Sequence, residues 1–328
     1  MAKDIKNDPK ADFGFDYRAI LPLVALAVTL LTDILIPNHK DAKYRELTNF
    51  QSFITVALIS SAILFFITLF QNRFRKKYSG KAWFVSGFIL FFDVLNVVTV
   101  KYLLLPQLYF PSLNRVLEVY VEDYQFLLKC LGSSFSLLLE GLVIGTVVGV
   151  VTGILVGWSL NWNYWIYPII RILGPIPSST WVPLALVLFP TPRWAAVFII
   201  AFGVWFQITI LTSSGIQSVK KSYFEVSSTL GASNLQNLFH IAIPDAMPSI
   251  FLGFFNATCG SFVALMAAEM LGVKAGIGWY INWQKEMLSY PNVYAGLIII
   301  AVFCYLFITV QFKVRDKLLN WQKGVIKW

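Results

Sequence analysis

The sequence predicts an all-α, polytopic membrane protein of about eight transmembrane helices, and three observations carry that prediction. Of its 328 residues, 57% are hydrophobic and only 13% charged, with a mean hydropathy of +0.68, a balance foreign to ordinary water-soluble domains. The apolar residues gather in runs of about twenty or more, the length a helix rising about 1.5 Å per residue needs to cross about 30 Å of hydrocarbon. Lys and Arg, the source of the net charge of +9, cluster at the ends of those runs. There they bias topology and touch lipid headgroups, so the charge does not point to nucleic acid.

The runs lie near residues 19–37, 52–71, 83–105, 127–157, 165–189, 194–213, 247–271 and 292–312. The first follows MAKDIKNDPKADFGFDYR, whose alternating charges lack the basic-then-apolar layout of a secretory signal, so it reads as a retained span. The fourth is long enough to tilt or to project from the bilayer. Pro175, Pro177 and Pro183 break the fifth.

Positive charge orients the set. The loop Asn72 to Lys81 (NRFRKKYSGK) and the tail with Lys313, Arg315, Lys317, Lys323 and Lys327 are expected in the cytoplasm. The acidic connection carrying Glu118, Glu122 and Asp123 is expected outside. Eight spans then place both termini, and the stretch from Gly215 to Pro248, in the cytoplasm. The loop His39 to Glu46, with Lys40, Lys43 and Arg45, runs against this rule. Residues 1–105 read as a three-helix membrane extension poor in glycine. Residues 106–328 read as a core of five helices plus a polar helical segment at 217–245.

Catalytic signatures are missing. His39 and His240 are the only histidines, which excludes HExxH, and neither GxSxG nor GxxxxGK[ST] occurs. No catalytic residue, metal site or bound cofactor is therefore expected, and work driven by a nucleotide would need hydrolysis by another subunit. Cys130, Cys259 and Cys304 follow no metal spacing and read as small hydrophobes without a disulfide.

Two constellations remain in the spans. Gly141, Gly145, Gly149, Gly153 and Gly157 recur every four residues and trace a ridge without side chains, against which another helix packs closely. An internal packing face is the plain reading; a subunit contact or a sliding surface is the alternative. Ionisable residues within spans are costly and often functional. They are Asp33, Asp93, Lys101, Glu140 and Glu269, of which Asp93 and Lys101 share a face yet stand too far apart to touch. A structural, hydrogen-bonded role is the plain reading for each, and Glu269 is the strongest candidate for contact with a solute.

The stretch Glu225 to Pro244, EVSSTLGASNLQNLFHIAIP, is polar and carries helix punctuation between two spans. Ser222 with Glu225, and Ser233 with Gln236, fit capping boxes. Gly231 is a left-handed stop and Pro244 follows the second helix. Two short helices with a sharp bend are predicted, with Leu235, Leu238, Phe239 and Ile241 mostly along one side. Helices this short need cover, either from a groove on a cytoplasmic partner or from the protein's own helix ends.

The spacing Glu225, Gly231, then Ile241-Ala242-Ile243-Pro244 resembles the EAA signature of permease subunits of ATP-binding-cassette importers, with Val226 and Ser227 in place of two alanines and Ile243 in place of leucine. FPSLNRVLE, RILGPIPSSTWVPLALVLF and VALMAAEMLGVKAGIGWYI resemble the subfamily that imports nitrate, sulfonates, taurine and similar small anions, along with some pyrimidine-type vitamin precursors. The likeness covers roughly residues 107–325 and implies a type I importer permease core; the subfamily usually begins with one span, where three are expected here.

The resemblance further implies that Glu225, Ser227, Gly231, Ala232, Leu235, Leu238, Phe239 and Pro244 couple the chain to an ATPase. Pro175, Pro177, Ser178, Ser179 and Glu269 would line the translocation pathway. Implied partners are two ATPase subunits that bind the ATP, an extracytoplasmic substrate-binding protein and a second copy of the chain in the lipid bilayer. The residues alone leave two other readings open, a membrane enzyme acting on lipid with Glu269 or Asp93 as acid or base, and a scaffold subunit.

Overall fold

The computed structural model describes residues 16–37 and 48–319, and every regular element among them is helical. The described chain divides into two compact units. The first ends at Glu122 and takes in Leu288–Ala295; the second comprises Asp123–Met287 and the chain from Gly296 onward.

The first unit contains α1 (Leu21–Leu35), α2 (Thr48–Phe70), α3 (Asn72–Asn96) and the short α4 (Leu113–Glu122). Gln71 alone separates α2 from α3, so the basic stretch 72–81, expected as a loop, forms the first turns of a helix. Its two Arg and three Lys residues are good helix formers, which outweighs the weak propensity of Gly80. The expected loop from His39 to Glu46, like Lys323 and Lys327, lies outside the described residues.

Burial of charge in this unit is compensated group by group. Lys101 Nζ lies 3.0 Å from Asp33 Oδ1 and donates to the Asp33 carbonyl at 3.1 Å. Thr32 Oγ1 donates to Asp93 Oδ1 at 2.8 Å. Asp93 and Lys101 thus find adjacent residues of α1 and not each other, which is what removing polar groups from water demands. The connection carrying Glu118 is not a loop. It forms the amphipathic α4, which buries Val116 and Val119, and its Tyr120 hydroxyl donates to the Ala295 carbonyl at 3.0 Å.

The second unit is built on α5 (Tyr124–Trp158), α8 (Pro192–Gln217) and α11 (Ile243–Leu271). A Cβ added at Gly145 would lie 2.6 Å from Val204 Cβ, at Gly149 2.9 Å from Ile208 Cβ, at Gly153 2.5 Å from Thr212 Cβ and at Gly157 2.9 Å from Ile216 Cβ. Gly141 meets Ile200 in the same way. The glycine ridge is therefore an internal packing face. Its complement is a β-branched ridge at the same four-residue interval on α8, and the backbones close over one another where side chains are absent.

Each partner lies 59 residues beyond its glycine, so the two ridges ascend together and α5 and α8 run parallel. Two parallel helices that each cross a bilayer require the chain between them to cross back. That return is made by α6 (Leu160–Leu173), a 3-10 turn (Ser178–Trp181) and α7 (Val182–Leu188), a pair bent by 86° at the predicted proline break. Among the described residues seven other helices are long and apolar enough to span, which gives eight candidate crossings with the bent pair taken as one. In contrast, Gly215 meets Ser249 and Gly253 meets Leu211, so α11 runs antiparallel to α8. The remaining helices are α9 (Lys221–Thr229), α10 (Asn234–Asn237), α12 (Ile277–Glu286) and α13 (Tyr290–Leu318), with the expected final span inside α13.

Candidate functional site

At the end of the layer where α8 stops, the chain forms the predicted bent pair. Gly231 has φ +82°, the left-handed region that L side chains avoid. Ala232 N–H donates to the Ser227 carbonyl and Gly231 N–H to the Ser228 carbonyl, each at 3.0 Å, the paired bonds of a Schellman stop. Ser233 and Gln236 complete the expected capping box, with Ser233 N–H donating to Gln236 Oε1 at 2.7 Å and Gln236 N–H donating to Ser233 Oγ. Ser227 adds a bond across the bend, since its hydroxyl donates to Asn237 Oδ1 at 2.7 Å.

Three expectations for this segment are corrected. Ser222 and Glu225 form no capping box: α9 begins at Lys221 with an extended Lys220 as its cap residue, which puts Ser222 inside the first turn and leaves Glu225 exposed. The second helix does not stop before Pro244. A π turn at Leu238–Ala242 joins α10 to α11, and the wider turn accommodates the amide that proline lacks. Leu238 is also no groove filler. It is buried against Ile216, Val219, Ala242 and Ala246, with Phe224 and Trp158 packed alongside.

The apolar groups left uncovered are Leu235 and Phe239 on the second helix and Tyr223, Val226 and Leu230 on the first. The last three were missed, although their spacing of three and four residues marks one face of α9 and was readable from the sequence. Leu230 is 82% exposed and Leu235 67%. Tyr223, Val226, Ser227 and Leu230 line an open concavity of 510 Å³ with His240 and Pro244. Ala232 is half-buried beside it.

The bend between α6 and α7 faces α8 and α11. Pro177, Ser178 and Ser179 line a 290 Å³ cavity there with Gly203, Gln207 and Gly260. Two glycines admit the broken segment. A Cβ at Gly174 would overlap the Phe206 ring, and one at Gly203 would lie 2.9 Å from Ser178 Oγ. Pro175, at the bend itself, is exposed. Non-helical backbone at membrane depth is tolerated only where protein or water covers it.

Glu269 does not belong to that cavity lining. It is fully buried at the opposite end of α11, where Ser134 Oγ donates to its Oε1 at 2.6 Å and Gly278 N–H to its Oε2 at 2.7 Å. Ile277 N–H donates in turn to Ser134 Oγ at 2.8 Å. The carboxyl group thereby ties α5 and α11 to the first turn of α12, a helix start that favours negative charge. Gly276 (φ +142°) and Gly278 leave room for it, because a Cβ at either would press on Glu269. Glu140, one residue before the glycine ridge, pairs with Arg193 at the start of α8. Glu269 and Asp93 are both buried, with their carboxyl groups hydrogen-bonded inside the protein. Among the described residues no three His, Cys, Asp or Glu side chains converge on a metal site.

Comparison with known proteins meets this geometry. Residues 145–319, more than half of the chain, match the family model described as "Binding-protein-dependent transport system inner membrane component". A putative ABC transporter permease protein of Methanocaldococcus jannaschii is 33% identical over 156 residues, covering 47% of this chain and 58% of the relative. A nitrate import permease protein of Synechocystis sp. is 35% identical over 136 residues, 40% of this chain and 50% of the relative. The match thus spans about half the length of these relatives. Among solved structures, an inward facing conformation of the MetNI methionine ABC transporter aligns over 60% of this chain and 97% of its own, with a TM-score of 0.51 and 16% identity, a likeness of fold.

Proposed function

The chain belongs to the family of binding-protein-dependent transport system inner membrane components, and from that premise we propose that it is the membrane subunit of an ATP-driven importer working by alternating access. The residues around the bend at Gly231 act as the coupling segment. A separate ATPase covers Val226, Leu230, Leu235 and Phe239, and its closure on ATP moves α9 and α10 as one lever, because the Schellman stop, the capping box and the Ser227–Asn237 bond hold the bend. The continuous run from Asn234 to Met270 carries that motion into the membrane.

The assembly we propose contains two copies of the chain, two ATPases and an extracytoplasmic binding protein, in the cell membrane with both termini in the cytoplasm. The basic ends of α3 and α13 support that orientation. The cargo is a small anion of the nitrate or sulfonate class, supported by the nitrate-import relative and by the resemblance of the stretches around Pro177 and Glu269.

The observation that carries the proposal is the solvent-exposed apolar face on a bend that is itself fully hydrogen-bonded. Its test is Gly231→Val in the assembled complex. Nothing lies within 4 Å of a Cβ at Gly231, so the substitution strains only the local backbone. The expected result is a chain that inserts and assembles but has lost solute uptake; unchanged uptake would contradict the coupling role.

A further inference from the structure

One face of the second unit carries polar side chains that the chain itself leaves unused. On α8, Gln207 and Ser214 are exposed, and Gln207 stands about 15 Å from the end of the helix, at membrane depth. On α11, Asn256, Cys259, Gly260 and Val263 are exposed along one stripe. The antiparallel contact of Gly253 with Ile208 and Leu211 brings Asn256, one turn further along α11, to the level of Gln207. No hydrogen bond within the described residues engages either carboxamide. Ser178 and Ser179 join Gln207 in the wall of the 290 Å³ cavity, and that wall holds no ionisable group.

Carboxamides in the middle of two spans are costly to leave facing lipid, so the face calls for water, a passing solute or the second copy of the chain, and the adjoining polar cavity favours water and solute. Gly203 and Gly260 keep it open: Gly203 admits the Ser178 side chain, and nothing lies within 4 Å of a Cβ at Gly260. We propose that Gln207 and Asn256, with the hydroxyls of Ser178 and Ser179, form the solute-contact station of the pathway, a neutral set of N–H and O–H donors for the oxygens of a small oxyanion. A neutral donor set offers hydrogen bonds without a counter-charge, so the anion is oriented in transit and not trapped, as conduction through a pore requires. This inference rests on the transporter reading above and deepens it.

The test uses the whole complex reconstituted in liposomes with its ATPase and binding protein, with nitrate and a short alkanesulfonate as probes. Gln207→Leu and Asn256→Leu are each expected to lower uptake of the transported probe about tenfold while binding-protein-stimulated ATP hydrolysis persists. Gln207→Glu, which keeps the shape and adds like charge, is expected to lower it further. Unaltered uptake in these variants would overturn the station and leave the transporter reading standing. Failure of the unsubstituted complex to take up either anion, with ATP hydrolysis still stimulated, would overturn the oxyanion assignment and the station with it. Cys259 gives a readout that needs no variant. A water-soluble thiol reagent is expected to label it in the folded complex and block uptake, and absence of labelling would overturn an aqueous path along this stripe.

Discussion

At one end of the α5, α8 and α11 layer, Glu269 is fully buried with both carboxyl oxygens engaged, whereas at the other end Leu230, Leu235 and Phe239 expose most of their surface. Both ends punctuate a polar break between helices with a positive-φ glycine, Gly276 and Gly231. They differ in what surrounds it. Around Gly276 a Cβ would meet the Glu269 carboxyl group; around Gly231 there is open space. The first end is satisfied from within and reads as architecture. The second spends its hydrogen bonds on its own shape and leaves apolar area for something else to cover.

Substitutions grade that contrast. Glu269→Ala strands the Gly278 amide and leaves Ser134 without its acceptor in a closed site, at a cost of about 3 kcal/mol or more. It is expected to abolish recovery of folded protein in detergent, with Glu269→Gln restoring most of it. Stable Glu269→Ala protein would remove the clamp. In the packed middle, Gly149→Leu drives a side chain into Ile208 and is expected to cost about 1–3 kcal/mol. A lowered unfolding temperature of the purified chain would register it, and a neutral result would contradict the ridge packing. At the exposed end, Gly231→Val costs about 1–2 kcal/mol locally, leaves global stability close to that of the parent and removes coupled ATP hydrolysis. The smallest effect belongs to Ser227→Ala. Loss of one hydrogen bond to Asn237 is worth about 1 kcal/mol, and a partial fall in coupling efficiency should be measurable as ATP consumed per solute moved.

The same contrast governs what could be read from residues in order. Features encoded within one turn were legible: the stop at Gly231, the Ser233–Gln236 cap and the proline break at 175–183 all stand where their local chemistry puts them. So was the glycine ridge, because a four-residue interval of missing side chains has few other uses. Ser222 misled because capping depends on where the helix begins, and Lys220 begins it two residues earlier. Pro244 misled because a π turn can absorb it. Leu238 turns inward because α8 and α11 meet there, which only tertiary packing decides. The role of Glu269 depends on Ser134 and Gly278, one of them 135 residues away in the chain.

If an ATPase seats on the bent pair at Gly231, it must touch the exposed side chains there. A photocrosslinking residue placed at Phe239, which is 61% exposed and outside the internal cluster, tests it directly in the co-expressed complex. The expected product is an adduct with the ATPase subunit, weakened by Gly231→Val. Adducts confined to lipid or to this chain itself would contradict it.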